Sequence, residues 1–162
     1  MSDRVTIEIT DGVADVRLNR PDKMNALDNA MFQALEEAGE SLKADTSVRA
    51  VVLSGEGRAF CAGLDFGSFG KMADDDTPSA EGSSDALDRD GDRITHRGQQ
   101  VAYCWTEMPA PVICAVTGVA LGGGFQIATR AIMNNYESQS QMVCRSLELQ
   151  RRFAIAKYAV CG

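Results

Sequence analysis

Two glycine-containing segments carry the residues best suited to chemistry. Phe60-Cys61-Ala62-Gly63-Leu64-Asp65 and the stretch from Gly118 to Gly124 each follow an apolar run and lead toward a helical pattern. Both can present backbone N–H groups. Two such donors converging on one carbonyl oxygen would stabilise an enolate or a tetrahedral oxyanion, and glycine lets the ligand approach because no side chain intervenes. A turn or a close packing contact is the plainer role for glycine at a strand exit. The pattern alone leaves both roles open.

Other chemistries find less support. Gly55-Glu56-Gly57-Arg58-Ala59-Phe60 starts like a dinucleotide fingerprint, but Phe60 stands where the last glycine belongs. No lysine follows the Gly118–Gly124 stretch to make a phosphate loop. A calcium loop starting at Asp88 fails, because Arg93 occupies the glycine position and Gln99 the terminal glutamate position. Asp65 is a candidate base whose simpler role is to bond its own turn. His96 is the sole histidine, and beside Arg97 on a polar face it reads as solvent-exposed. Cys61 reads as a small buried residue rather than a nucleophile. Cys61, Cys104, Cys114, Cys144 and Cys161 are odd in number and lack the paired short spacings of a zinc site. They suit a reduced, cytoplasmic setting, and no metal is expected.

The elements that must hold the two loops are legible. Val5, Ile7 and Ile9 alternate with polar residues, Asp11-Gly12 supplies a turn, and Val13 to Leu18 resumes an extended pattern, which predicts a β-hairpin. Leu27, Met31, Leu35, Ala38 and Leu42 recur at helical intervals and predict an amphipathic helix. Val48–Leu53 and Val112–Val116 read as buried strands. Ile94, Val101, Trp105 and Met108 can line one side of a helix between them, as core rather than ligand contacts. The order of strand, helix and strand predicts an α/β or α/β-spiral fold.

The chain has 162 residues, 44% hydrophobic and 24% charged, with a net charge of −7, which suits one soluble domain and disfavours nucleic acid as a partner. The uncharged stretch Met108–Thr129 is long enough to cross a bilayer. Pro109, Pro111, Gly118 and Gly122-Gly123-Gly124 argue against that, so no membrane association is expected. The start, Met1–Thr10, lacks the basic end and apolar block of a secretory peptide. Gly67–Asp92, with eight acidic residues and little apolar content, predicts a mobile acidic loop. On charge alone that loop also admits a small interaction domain as a function.

Three blocks carry a resemblance to a known family: LNRPDKMNAL at 18–27, AVVLSGEGRAFCAGLDF at 50–66 and PAPVICAVTGVALGGGFQIA at 109–128. In that order and spacing the chain resembles the N-terminal half of the crotonase superfamily, which includes enoyl-CoA hydratases and isomerases. The resemblance covers residues 1–128, with the acidic loop at 67–92 where the family has a variable substrate-covering segment. It implies an α/β fold, the crotonase-like ββα spiral. The substrate it implies is a coenzyme A thioester, with no cofactor, and the chemistry is that of a lyase or isomerase of fatty-acid metabolism. The oxyanion hole would be the backbone N–H groups of Leu64 and Gly123. Met24 and Ala26 would lie beside the CoA adenine and pantetheine, Ala62, Asp65, Phe66 and Gly122 would shape the thioester channel, and Lys23 would meet a CoA phosphate. Relatives commonly form homo-trimers, paired as hexamers.

One departure bears on the reaction. Family hydratases place a glutamate two residues beyond the triple glycine, where this chain has Gln126. An amide can orient water or substrate but does not exchange a proton near neutral pH. This leaves the general acid or base unassigned. From Thr129 to Gly162 the composition changes: no Asp, no Pro, and five basic against two acidic residues, where the first 128 residues have eleven basic against twenty-one acidic. That segment, 129–162, predicts a divergent helical or disordered tail, with a truncation or frame shift after residue 128. Two functions follow as expectations: an acyl-CoA enzyme of the hydratase/isomerase type, or a non-catalytic CoA-binding or incompletely folded fragment of one.

Overall fold

The computed structural model describes residues 3–67, 97–131, 133–136 and 141–143. The hairpin forms as its sequence predicts, from β1 (Val5–Thr10) and β2 (Val13–Leu18), paired antiparallel. Its two-residue turn has Asp11 at φ 50° and Gly12 at φ 79°. Positive φ at both central positions matches the turn twist to that of the strands.

Beyond the hairpin the chain makes parallel crossings. β3 (Ala50–Gly55) lies beside β2, and β4 (Val112–Val116) beside β3. β3 starts two residues later than the apolar run from Val48 suggests. Ala14, Val16, Leu18, Val51, Leu53, Val112 and Cys114 are fully buried, and they alternate along their strands. That period of two gives the sheet one continuous apolar face.

Helix α1 (Asn29–Ala44) connects β2 to β3. It begins where Asp28 accepts a hydrogen bond from the Met31 N–H at 2.8 Å, a cap that contributes about 1 kcal/mol. Met31, Ala34, Leu35, Ala38 and Leu42 form its buried stripe. Leu27 does not belong to that helix. It precedes the cap and pairs instead as an extended residue with Leu64.

Helix α2 (Arg97–Tyr103) ends earlier than the pattern through Trp105 and Met108 predicts. Trp105 and Met108 lie past its end but are buried, as core residues should be, and the Trp105 indole N–H donates to the Val101 carbonyl at 3.0 Å. Ile94 and His96 lie outside the described residues, as do residues 68–92 of the acidic loop.

β5 (Val119–Leu121) and α3 (Gly123–Arg130) follow β4. Two strands then fall in the segment read from sequence as helical or disordered. β6 (Met133–Tyr136) pairs parallel with β4 and completes a five-stranded mixed sheet of order β1-β2-β3-β4-β6, and β7 (Gln141–Val143) pairs parallel with β5. Residues 144–162 lie outside the described residues.

Candidate active site

The site forms where three segments leave the same end of the sheet: 20–28 after β2, 59–66 after β3, and 117–124 after β4. The first is held by an unusual backbone. Met24 and Asn25 are consecutive non-glycine residues with φ 49° and 54°, a left-handed conformation that costs about 1–2 kcal/mol per residue. The fully buried Asn25 side chain offsets that cost. Its amide donates to the Glu56 and Ala59 carbonyls at 2.9 and 2.8 Å, and its oxygen accepts from the Arg20 N–H at 2.7 Å.

The second segment is stitched to both neighbours. The Ala62 N–H donates to the Met24 carbonyl at 2.9 Å, the Leu27 N–H to the Gly63 carbonyl at 2.7 Å, and the Asp65 N–H to the Leu27 carbonyl at 3.0 Å. On the other edge the Cys61 N–H donates to the Val119 carbonyl at 3.0 Å and the Leu121 N–H to the Cys61 carbonyl at 2.9 Å. The 59–66 segment is thus the middle of a small three-stranded arrangement.

This pairing determines where the Leu64 amide points. In a trans peptide the C=O of residue 63 and the N–H of residue 64 are antiparallel. Since the Gly63 carbonyl faces Leu27, the Leu64 N–H faces away from it. That N–H has no protein acceptor among the described residues. The Gly123 N–H also has none, as expected for the first residue of α3, whose initial amides lack intrahelical partners.

The two loops carrying these amides touch. A Cβ added to Gly63, at φ 86°, would lie 2.8 Å from the Leu121 carbonyl oxygen and 3.8 Å from the Gly122 nitrogen. One added to Gly124 would lie 2.5 Å from the Cys61 Cβ, and one added to Gly123 would lie 2.7 Å from a Leu27 methyl. Leu27 therefore binds one loop through its backbone and supports the other with its side chain. Gly122 is the exception to this crowding. At φ 51° and ψ −113° it has nothing within 4 Å of where a Cβ would stand. The chain opens there toward space that a ligand can occupy.

The other residues that the family resemblance assigns to the site lie on or beside these three segments. Ala26 is buried, Met24 and Ala62 are half-buried, and Lys23 is exposed at the end of the 3-10 turn Pro21–Lys23. Leu64 and Phe66 expose 43% and 74% of their surface, an apolar rim where most other large apolar residues among those described are inside. Gln126, on the first turn of α3, is exposed, and its side-chain amide has no partner among the described residues.

Asp65 does bond its own turn, accepting from the Gly67 N–H at 3.1 Å. Sequence reasoning missed its second partner. Its other carboxylate oxygen lies 2.8 Å from the guanidinium of Arg20, whose side chain is nearly buried. Arg20 also donates to the Ala26 carbonyl at 3.0 Å and lies 3.4 Å from Asp28, which Arg4 contacts at 2.8 Å. A charged residue between apolar strand residues and a proline was the available signal. Cys61 donates to the Asn25 carbonyl at 3.1 Å, and burial pushes its thiol up to about 11. It is protonated near neutral pH and is a packing residue. Among the described residues no group of three or more metal-ligating side chains occurs, and no helix is long and apolar enough to cross a membrane.

This mixed sheet, with parallel crossovers and glycine-opened loops at one end, is an α/β fold of the crotonase class. It superposes on an enoyl-CoA hydratase of Shewanella pealeana with a TM-score of 0.73 at 22% identity, covering 91% of this chain and 51% of that one. A Streptomyces coelicolor protein assigned to the same group matches with a TM-score of 0.73 at 33% identity, over 95% of this chain and 51% of the other. The family model for enoyl-CoA hydratase/isomerase matches residues 13–134, and the chain belongs to that family. The match continues past residue 128, where the sequence resemblance ends, to take in the end of α3 and the start of β6. Among characterised relatives, 1,2-epoxyphenylacetyl-CoA isomerase of Escherichia coli is 31% identical over 79% of this chain, and (E)-benzylidenesuccinyl-CoA hydratase of Thauera aromatica is 34% identical over 76%. The chain spans 45% and 43% of the lengths of those two proteins.

Proposed function

We propose that this chain binds an acyl-CoA thioester and polarises its carbonyl oxygen with the N–H groups of Leu64 and Gly123. The observation that carries this reading is that both amides lack a protein acceptor among the described residues and sit on loops in direct contact, beside the open space at Gly122. Two neutral donors aimed at one oxygen are worth most when that oxygen gains charge. Loss of a proton from the adjacent carbon does this, because the electron pair left behind delocalises onto the oxygen as an enolate. In isomerisation the proton returns at a different carbon, and in hydration water adds across the neighbouring double bond. The chain's part is the same in both: bind the thioester, hold its oxygen, and lower the cost of the enolate. The thioester is substrate, and this reading requires no resident cofactor.

Leu64 and Phe66 supply apolar surface for the acyl group, Met24 and Ala26 line the approach of the CoA arm, and Lys23 meets a phosphate. Family relatives whose names specify CoA esters support this class of ligand. Asp65 is occupied by Arg20 and Gly67, so it shapes the channel rather than exchanging protons with substrate.

Gln126 favours a second reading, a CoA-thioester-binding chain without turnover, because its amide replaces a carboxyl group that could transfer protons. Titration with crotonyl-CoA and with its thioether analogue, which lacks the carbonyl oxygen, tests the main reading, with thermal unfolding and absorbance at the conjugated double bond as readouts. Stabilisation by the thioester well beyond the thioether supports oxygen binding. Equal effects of the two ligands would rule it out. Stabilisation without loss of the double bond favours the binding-only reading.

A further inference from the structure

We propose that Arg20 is a positioning residue for the Leu64 amide, acting through Asp65. The inference rests on the reading of Leu64 as a donor to a thioester oxygen. The Leu64 N–H points outward only because the Leu27 and 63–65 backbones hold one register. Two hydrogen bonds set that register, Leu27 N–H to the Gly63 carbonyl and Asp65 N–H to the Leu27 carbonyl. Arg20 grips both sides of this pairing with one guanidinium nitrogen, which lies 3.0 Å from the Ala26 carbonyl on one side and 2.8 Å from the Asp65 carboxylate on the other.

The Arg20 main chain is itself held. The Arg20 N–H donates to Asn25, and the Arg20 carbonyl accepts from the Lys23 and Asn25 N–H groups at 3.1 and 2.9 Å. The Arg20 and Asp65 side chains are 10% and 17% exposed, so solvent screens the pair little. Asp65 follows Leu64 directly, and anchoring its carboxylate restrains the 64–65 peptide, whose N–H donates to the Leu27 carbonyl and keeps Leu64 in register. A rigid pair next to a donor amide is what preorganisation requires, since a donor that must reorient when charge develops loses much of its value.

A merely structural arginine would contribute to folding without affecting how strongly a bound carbonyl is polarised. The test therefore reads polarisation directly. A chromophoric 3-arylacryloyl-CoA absorbs at longer wavelength when its thioester oxygen is drawn toward positive donors. The full 162-residue chain is saturated with this thioester, and the red shift is compared among wild type, Arg20→Gln, Arg20→Lys and Asp65→Asn, each also checked for thermal unfolding. We expect Arg20→Gln and Asp65→Asn to lose about half or more of the wild-type shift, with Arg20→Lys keeping more of it than Arg20→Gln. A full red shift in the folded Arg20→Gln and Asp65→Asn variants would overturn the proposal. Should Arg20→Gln not fold, Asp65→Asn and Arg20→Lys carry the same readout. Absence of any red shift in saturated wild type would instead reject the donor reading of Leu64 and Gly123, and this inference with it.

Discussion

Gly63 passes so close to Leu121 that a Cβ on Gly63 would lie 2.8 Å from the Leu121 carbonyl oxygen, and that approach joins the two donor loops. The contact is between main chains, so it cannot be relieved by rotating a side chain. Gly63 also has φ 86°, a conformation costly for other residues. Gly63→Ala should lower stability by about 2–4 kcal/mol, from left-handed strain together with overpacking. Urea unfolding followed by circular dichroism measures this.

Gly122 should respond differently. Its Cβ would meet no protein atom among the described residues, so Gly122→Ala bears only the backbone cost of φ 51° and ψ −113°, about 1–3 kcal/mol. The added methyl projects into the space assigned to ligand. We expect thioester affinity to fall tenfold or more while the fold survives, as read by titration calorimetry beside urea unfolding. Unchanged affinity would place the ligand elsewhere.

Asp28 has two duties: it caps α1 and neutralises Arg4 and Arg20. Asp28→Ala removes both, for an expected loss of about 2–3 kcal/mol. Asp28→Asn keeps a capping oxygen and should lose less than half as much. Equal losses in the two variants would show that charge, not the cap, dominates at this position.

Burial raises the Cys61 thiol to about 11 and the Cys104 and Cys114 thiols to about 12. The folded chain keeps these protons above pH 9, where the unfolded chain loses them. Stability is therefore fully present below the ordinary thiol range and falls as pH rises from about 9 toward 12. Denaturant midpoints measured across that range should decline. Replacement of all three cysteines by alanine should flatten this part of the decline.

The parts legible in the sequence are those governed by local periodicity. The hairpin, β4 and the helical stripe from Met31 to Leu42 follow from patterns of two and of three to four residues, and the three motif blocks placed both glycine loops. Leu27 was misread because its spacing fits the helix while Asp28 ends the extended segment just after it. Asp65 illustrates a different limit. Its turn bond to Gly67 is local and foreseeable, whereas its pairing with Arg20 spans 45 positions and depends on how β2 and β3 align. The strained pair Met24-Asn25 carries no glycine to announce it. The strands β6 and β7 follow no strong alternation, and β6 adopts its conformation beside β4, a tertiary effect.

The most direct measurement is the infrared carbonyl band of an acyl-CoA thioester, isotopically labelled at its carbonyl and bound to the full chain. If the Leu64 and Gly123 amides both donate to that oxygen, the band moves to lower frequency than in water, because the C=O bond loses double-bond character. A bound carbonyl band at or above its frequency in water would contradict the account.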